Sequence, residues 1–202
     1  FDTKKISKSE VKQIFFATSN ETVKTNNSQQ IKTNNTISSK IQISEDLKFK
    51  IMAADILKVK YQGVGAVIID DIGEQIFYED GKSKYRYYYC AKIYNEEYLK
   101  LANISLVYNE GQSTAKILYG RVYSADGIVY HLDTTAIKIL TQTQSDKYFD
   151  KSYRLISAQL PNAQVNSVIE YCYEYTIYNP TDKNLLYGDW SFQDNLPIVK
   201  SE

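Results

Sequence analysis

Cysteine and histidine are nearly missing: the 202 residues hold two of the first and one of the second. So few thiols make neither a disulfide scaffold nor a four-ligand zinc site, and neither a metal nor a cofactor is expected. Long apolar runs are also lacking. None approaches the ~18 residues of a transmembrane helix, so no membrane span is expected in this chain. Neither charge is in excess, with 24 lysines plus arginines against 24 aspartates plus glutamates. A nucleic-acid-binding domain would show a clustered basic surface, so nucleic acid is not an expected partner. Three prolines, eight glycines and one tryptophan complete the list of scarce residues.

Tyrosine is what the chain has in quantity, 19 copies within a 43% hydrophobic composition. Tyrosine suits half-buried, pleated surfaces, where the ring packs and the hydroxyl reaches water. The first ~15 residues have the spacing of a short amphipathic helix, through Ile6, Val11, Ile14 and Phe15. From Ala17 to Asp46 the chain is rich in Asn, Thr, Ser, Gln and Lys, which bury little surface. Isolated Val23, Ile31, Ile37, Ile41 and Ile43 leave room there for a strand docked on a neighbour. A helix is expected over SEDLKFKIMAADILKVKY, with Ser44 as N-cap and an end before Gly63.

Beyond Gly63 the period changes to short alternating runs. AVIIDD (66–71), EQIFYE (74–79), KYRYYYCAKIYN (84–95), ISLVY, TAKILYGRVYS (114–124), IVYHL (128–132), DKSYRLISAQL, SVIEYCYEYTIY and LLYGDWSFQ read as strands. Asp80-Gly81 and Asp126-Gly127 are hairpin turns, and NEEYLKLAN (95–103) is one helical turn. The expected fold is all-β: a β-sandwich of about nine short, mostly antiparallel strands, preceded by a short helix and a polar N-terminal arm. The arm is assigned to residues 1–48 and the sandwich to 49–202. Alternation in the Cys172 strand puts Glu170, Cys172 and Glu174 on one face, expected to be solvated. Cys90 shares a face with Arg86, Tyr88 and Lys92. Pairing these two strands sets a basic strip against an acidic one and would bring Cys90 and Cys172 within reach of a disulfide.

The ordered pieces AVIIDDIGE, YGRVYSADGIVYHLDTTAI, YRLISAQLPNAQVNSVIEYCYEYTI and WSFQDNLPIVKS resemble a bacterial domain of unknown function that precedes transglutaminase-like cores. The matching positions are Ala66, Val67 and Gly73, then Arg121, Asp126 and Gly127. Leu160, Pro161, Ile169, Glu170 and Tyr171 follow, then Phe192 and Pro197. Asn166 stands where that family usually has glycine, at a turn position where asparagine tolerates positive φ. The resemblance covers residues 64–202. It implies a sandwich similar to the N-terminal β-domain of M1 aminopeptidases, a periplasmic or extracellular setting, and a non-catalytic domain that packs on or assists a peptidase-like neighbour. It supplies no catalytic residues.

Three site readings arise from the residues themselves. Cys90, His131 and Asp133 follow the Cys…His…Asp order of transglutaminase-like proteases, but both Cys90 and His131 read as mid-strand. An activated thiol usually heads a helix beside its histidine. The carboxylates Asp70, Asp71, Glu170 and Glu174 are of the type used for glycoside hydrolysis, though nothing in the sequence fixes their spacing. Tyr85, Tyr87 and Tyr89 share one strand face, and Tyr88 and Tyr94 the other. With Trp190 they form either a platform for a glycan or peptide in a stand-alone module, or the lining of a contact with an adjacent domain or protein partner.

Overall fold

A computed structural model describes residues 31–33, 36–40, 43–141, 152–182, 190–192 and 194–202. The helix expected in the first ~15 residues, and most of the strand expected over LLYGDWSFQ, lie outside these; Trp190, Ser191 and Phe192 have no strand structure.

Eleven strands are present among the described residues. Two short ones, β1 (Ile31–Thr33) and β2 (Thr36–Lys40), lie in the polar arm. Nine follow the helix: β3 (Ala66–Phe77), β4 (Ser83–Ile93), β5 (Asn103–Asn109), β6 (Ser113–Tyr123), β7 (Ile128–His131), β8 (Lys138–Thr141), β9 (Tyr153–Gln159), β10 (Val168–Ile177) and β11 (Ile198–Ser201). They form an eight-stranded sheet, β1-β2-β7-β6-β10-β4-β3-β11, and a three-stranded sheet, β5-β9-β8. Every pairing is antiparallel except that of β11 with β3. The arm is thus not a bare linker: β2 extends the large sheet, with Ile37 opposite His131.

The two sheets enclose one core. Ile93, Val122 and Ile169 from the large sheet meet Ile104, Ile156 and Ala158 from the small one. Ile93, Val122 and Ile169 are completely buried. Each such side chain contributes about 1.5–3 kcal/mol, more than a surface ion pair, so the sandwich rests on this layer.

The outer face of the large sheet is covered by α1 (Glu45–Lys60). Ser44 caps it by accepting from the Leu47 N–H, Glu45 and Asp46 sit in its first turn, and Lys58 and Lys60 in its last, each suiting the helix dipole. Its Leu47 and Ala54 pack with Val67, Ile69, Cys90 and Val168.

The turns follow the expected chemistry. Gly81 and Gly127 have φ of 84° and 82° at the β3–β4 and β6–β7 hairpins, and Asn166 has φ 69°. Residues 66–79 depart from expectation, because the two runs read there merge into the single strand β3. Its pairing with β4 slips between Ile68 and Asp70. This β-bulge leaves Ile69 as an extra residue, so Ile69 and Asp70 both face the helix while Ile68 and Asp71 face the sandwich.

Candidate functional site

Alternation sorts the tyrosines. On the sandwich side, β4 presents Tyr85, Tyr87 and Tyr89, opposite Tyr175, Tyr173 and Tyr171 of β10. Their rings form a stacked ladder. Tyr87 lies 6.2 Å from Tyr85 and from Tyr89, Tyr87 and Tyr173 are 5.1 Å apart, and Tyr89 and Tyr171 are also 5.1 Å apart. Each favourable aromatic pair adds about 0.5–1.5 kcal/mol beyond its burial. Eight strands facing three leave part of this ladder with no strand above it. There Trp190 lies over it, with its indole 6.1 Å from the Tyr87 ring.

The result is an open cleft of about 700 Å³, walled by Tyr85, Tyr87, Tyr173 and Trp190, with Asp71 and Asp194 among its polar groups. Tyr87 donates to Asp71 Oδ1 at 2.5 Å, Ser201 donates to Asp71 Oδ2 at 3.4 Å, and Trp190 Nε1 donates to Ser201 Oγ at 3.1 Å. Asp71 therefore anchors two walls of the cleft. Burial raises the Tyr85 and Tyr87 hydroxyls well above the usual tyrosine range, helped at Tyr87 by its bond to Asp71. Burial also lifts Tyr173 to about 12. All three stay protonated at physiological pH and can donate hydrogen bonds.

Of the six aromatic residues singled out from sequence, Tyr85, Tyr87 and Trp190 line the cleft. Tyr89 is buried next to them. Tyr88 and Tyr94 are not brought to it: they lie on the helix side, where Tyr94 donates to Asp55 of α1 at 2.7 Å. Sequence reading missed Tyr173 and Asp194, and named Asp71 only as a glycosidase-type carboxylate. A signal for Tyr173 existed in its alternation with Tyr171 and Tyr175. None existed for Asp194, which lies outside any strand.

The helix side carries the remaining candidates on one rung of the large sheet: Asp70, Cys90, Glu170, Arg121 and His131, in that order across β3, β4, β10, β6 and β7. Cys90 and His131 share this rung but stand three strands apart, about 14 Å at the usual strand spacing. Cys90 is fully buried, and burial with Glu170 and Asp70 nearby drives its thiol well above the normal range. Burial and Arg121 hold His131 below its ordinary value, so the imidazole is neutral. Asp133 instead caps a short helical turn by accepting from the Thr135 N–H. These three do not form a triad.

The disulfide is also absent, since Cys90 and Cys172 are both free. Cys90 pairs with Glu170 and Cys172 with Tyr88. Such diagonal neighbours sit about 7–8 Å apart, beyond the ~4.4–6.8 Å that a disulfide spans.

The acidic face expected to be solvated is covered: Glu170, Cys172 and Glu174 are each about 5–6% exposed. Glu170 accepts from Tyr123 at 2.9 Å and from Arg121 at 3.3 Å. Glu174 is held by Lys116 at 3.0 Å, Arg86 at 3.1 Å and Lys84 at 3.4 Å, realising the basic-against-acidic pairing. Asp70 is paired with Lys50 at 3.0 Å. Four residues along one strand separate Glu170 from Glu174 by about 13 Å, too far for a glycosidase pair. Asp70 and Asp71 face opposite sides. Among the described residues no three His, Cys, Asp or Glu converge on a point that could hold a metal ion, and no helix is long and apolar enough to cross a membrane.

A second surface lies on α1. Its outward side exposes Phe49, Met52, Ile56 and Val59, by 68%, 59%, 66% and 79%. Their 3-4-3 spacing forms a continuous apolar stripe along the helix.

Residues 79–202, more than half of the chain, match the family described as a domain of unknown function with solved structure, DUF3857. That span falls within the 64–202 covered by the sequence motifs. No curated protein matches. The fold is similar to the crystal structure of a "putative protease" from Parabacteroides distasonis ATCC 8503, with a TM-score of 0.52 and 14% identity. The likeness covers 57% of this chain but 24% of that one, and at this identity it speaks for the fold alone. The chain belongs to the DUF3857 family.

Proposed function

We propose that this domain is a non-catalytic β-sandwich that packs on, and assists, a transglutaminase-like or other peptidase-like neighbour in a bacterial cell-envelope protein. The observation that carries the reading is the stripe Phe49–Met52–Ile56–Val59. Apolar side chains repeated on an outward helix face are a docking surface for a protein partner, because water gains when they are covered. Two further observations support it. The similar solved structure is a much longer chain named as a "putative protease", of which the matching part occupies 24%. The conventional nucleophile, Cys90, is sealed at mid-strand with its thiol protonated. A periplasmic or extracellular setting is part of this proposal, and the family resemblance is what supports it.

The test pairs two measurements. The purified chain is assayed for hydrolysis of unfolded casein, with none expected. Phe49→Glu with Ile56→Glu is then compared with the native sequence, in the protein as the gene encodes it, for association with peptidase-like polypeptide. Association should fall while the melting temperature of the sandwich holds. Casein hydrolysis lost on Cys90→Ala, or association indifferent to the double substitution, would overturn the reading. Fractionation of cells expressing the protein checks the compartment.

A further inference from the structure

The cleft beside Trp190 is separate from the helical stripe and raises its own question: what does it hold? Three observations narrow the answer. First, among the described residues its carboxylates have no cationic partner of the kind found elsewhere in the sheet. On the helix side Asp70 has Lys50, Glu170 has Arg121, and Glu174 has three cations. Among the described residues Asp71 is offered only hydroxyls, from Tyr87 and Ser201, and Asp194 the Leu196 N–H. Second, no lysine, arginine or histidine lines the cleft among the described residues. Third, its walls are the rings of Tyr85, Tyr87, Tyr173 and Trp190, whose faces carry partial negative charge.

Negative ring faces and uncompensated carboxylates converging on one cleft repel anions and attract cations. A neutral sugar would stack on the rings but would leave both carboxylates without a counter-charge. The volume of about 700 Å³ exceeds what one side chain fills and suits a side chain with the peptide around it.

We propose that the cleft is a recognition site for a cationic side chain, a lysine ammonium or arginine guanidinium, presented on an extended polypeptide. Asp71 and Asp194 supply the counter-charge, and Trp190 with the tyrosines supplies the ring faces. Asp71 would accept the cation while keeping its bonds to Tyr87 and Ser201, since a carboxylate offers about four lone-pair positions.

Trp190 is the chain's single tryptophan, so indole emission reports directly on occupancy. The intact chain is titrated with the capped pentapeptide Ala-Ala-Lys-Ala-Ala and with versions carrying arginine, norleucine or glutamate at the centre. A neutral cello-oligosaccharide is run in parallel. The lysine and arginine peptides should bind at least about tenfold more tightly than the norleucine peptide. Added salt should narrow that gap, and the glutamate peptide should not bind. Asp71→Asn, which keeps one carbonyl oxygen to accept from Tyr87 and turns an amide N–H toward Ser201 Oγ, should reduce the preference about tenfold, read by calorimetry with the melting temperature as control. Equal affinity for the lysine and norleucine peptides overturns the proposal, using the unmodified protein alone. So does binding of the oligosaccharide in preference to every peptide, or no response to any ligand. None of these results bears on the helical stripe, so the two readings fail separately.

Discussion

Gly73 lies directly beneath Trp190: a Cβ built on it would stand 2.4 Å from indole Cζ3 and 3.0 Å from Cε3. The indole is rigid and held at its far side by Ser201, so it cannot yield by bending a flexible tip. Gly73→Ala should therefore lift the ring off β3. The expected cost is about 1–3 kcal/mol, as for an overpacked core, together with a red shift of the tryptophan emission as the indole gains water. Chemical denaturation followed by fluorescence reads both. An unshifted spectrum with unchanged stability would show that the ring does not seat there.

Glu174 sets the acid limb of stability. The hydrogen bond from Lys116, then that from Arg86, holds its carboxyl at about 2, below the ordinary 4.5. The folded state thus binds its proton less readily than the unfolded state. Its contribution is complete above about pH 4.5 and is lost as the pH falls through about 2. The shift corresponds to an upper bound of about 3 kcal/mol. Arg86 and Lys116 are 51% and 62% exposed, and solvent screening reduces the figure to about 1–2 kcal/mol. Glu174→Gln should remove that much at pH 7 and flatten stability between pH 4.5 and 2, as measured by urea titration across pH.

The two sulfurs should behave as inert, separate thiols. The denatured, unreduced protein is expected to titrate as two free thiols, matching the free state of Cys90 and Cys172. In the native protein both resist alkylation at neutral pH, since burial raises each thiol. Cys172, at 5% exposure, should react before Cys90, at 0%. Mass spectrometry after timed labelling gives the order; rapid modification of Cys90 would contradict the buried rung.

Asn166 tests the turn before β10. At φ 69° an asparagine is tolerated, glycine is at ease and a β-branched residue is strained. Asn166→Gly should change stability by a few tenths of a kcal/mol, and Asn166→Val should cost about 1–2 kcal/mol. Thermal melts of the two variants distinguish them.

Much of this architecture is legible in the residues because local rules govern it. Ser44 caps its helix, Asp80-Gly81 and Asp126-Gly127 make their hairpins, and alternating tyrosines declare strands. What alternation cannot show is which face a second layer covers. The Glu170–Glu174 face looked solvated because its side chains are charged, yet neighbouring cations from β4 and β6 close over it. Alternation puts Tyr88 and Tyr94 on the face opposite Tyr85, Tyr87 and Tyr89, but it does not show that α1 occupies that face and leaves them outside the cleft. Asp194 lines the cleft from outside any strand, a place that no periodicity encodes.

The bulge at Ile69 has a consequence for descent. In an unbroken pleat Asp70 and Ile72 would share the side of Ile68, and the cleft would have neither its carboxylate at 71 nor the bare backbone at 73 on which the indole rests. A single inserted codon is enough to exchange those addresses. Here the bulge absorbs that residue: a relative lacking Ile69 would have an unbroken pleat and still turn positions 71 and 73 to the cleft, so the wall survives a one-residue gap at this point.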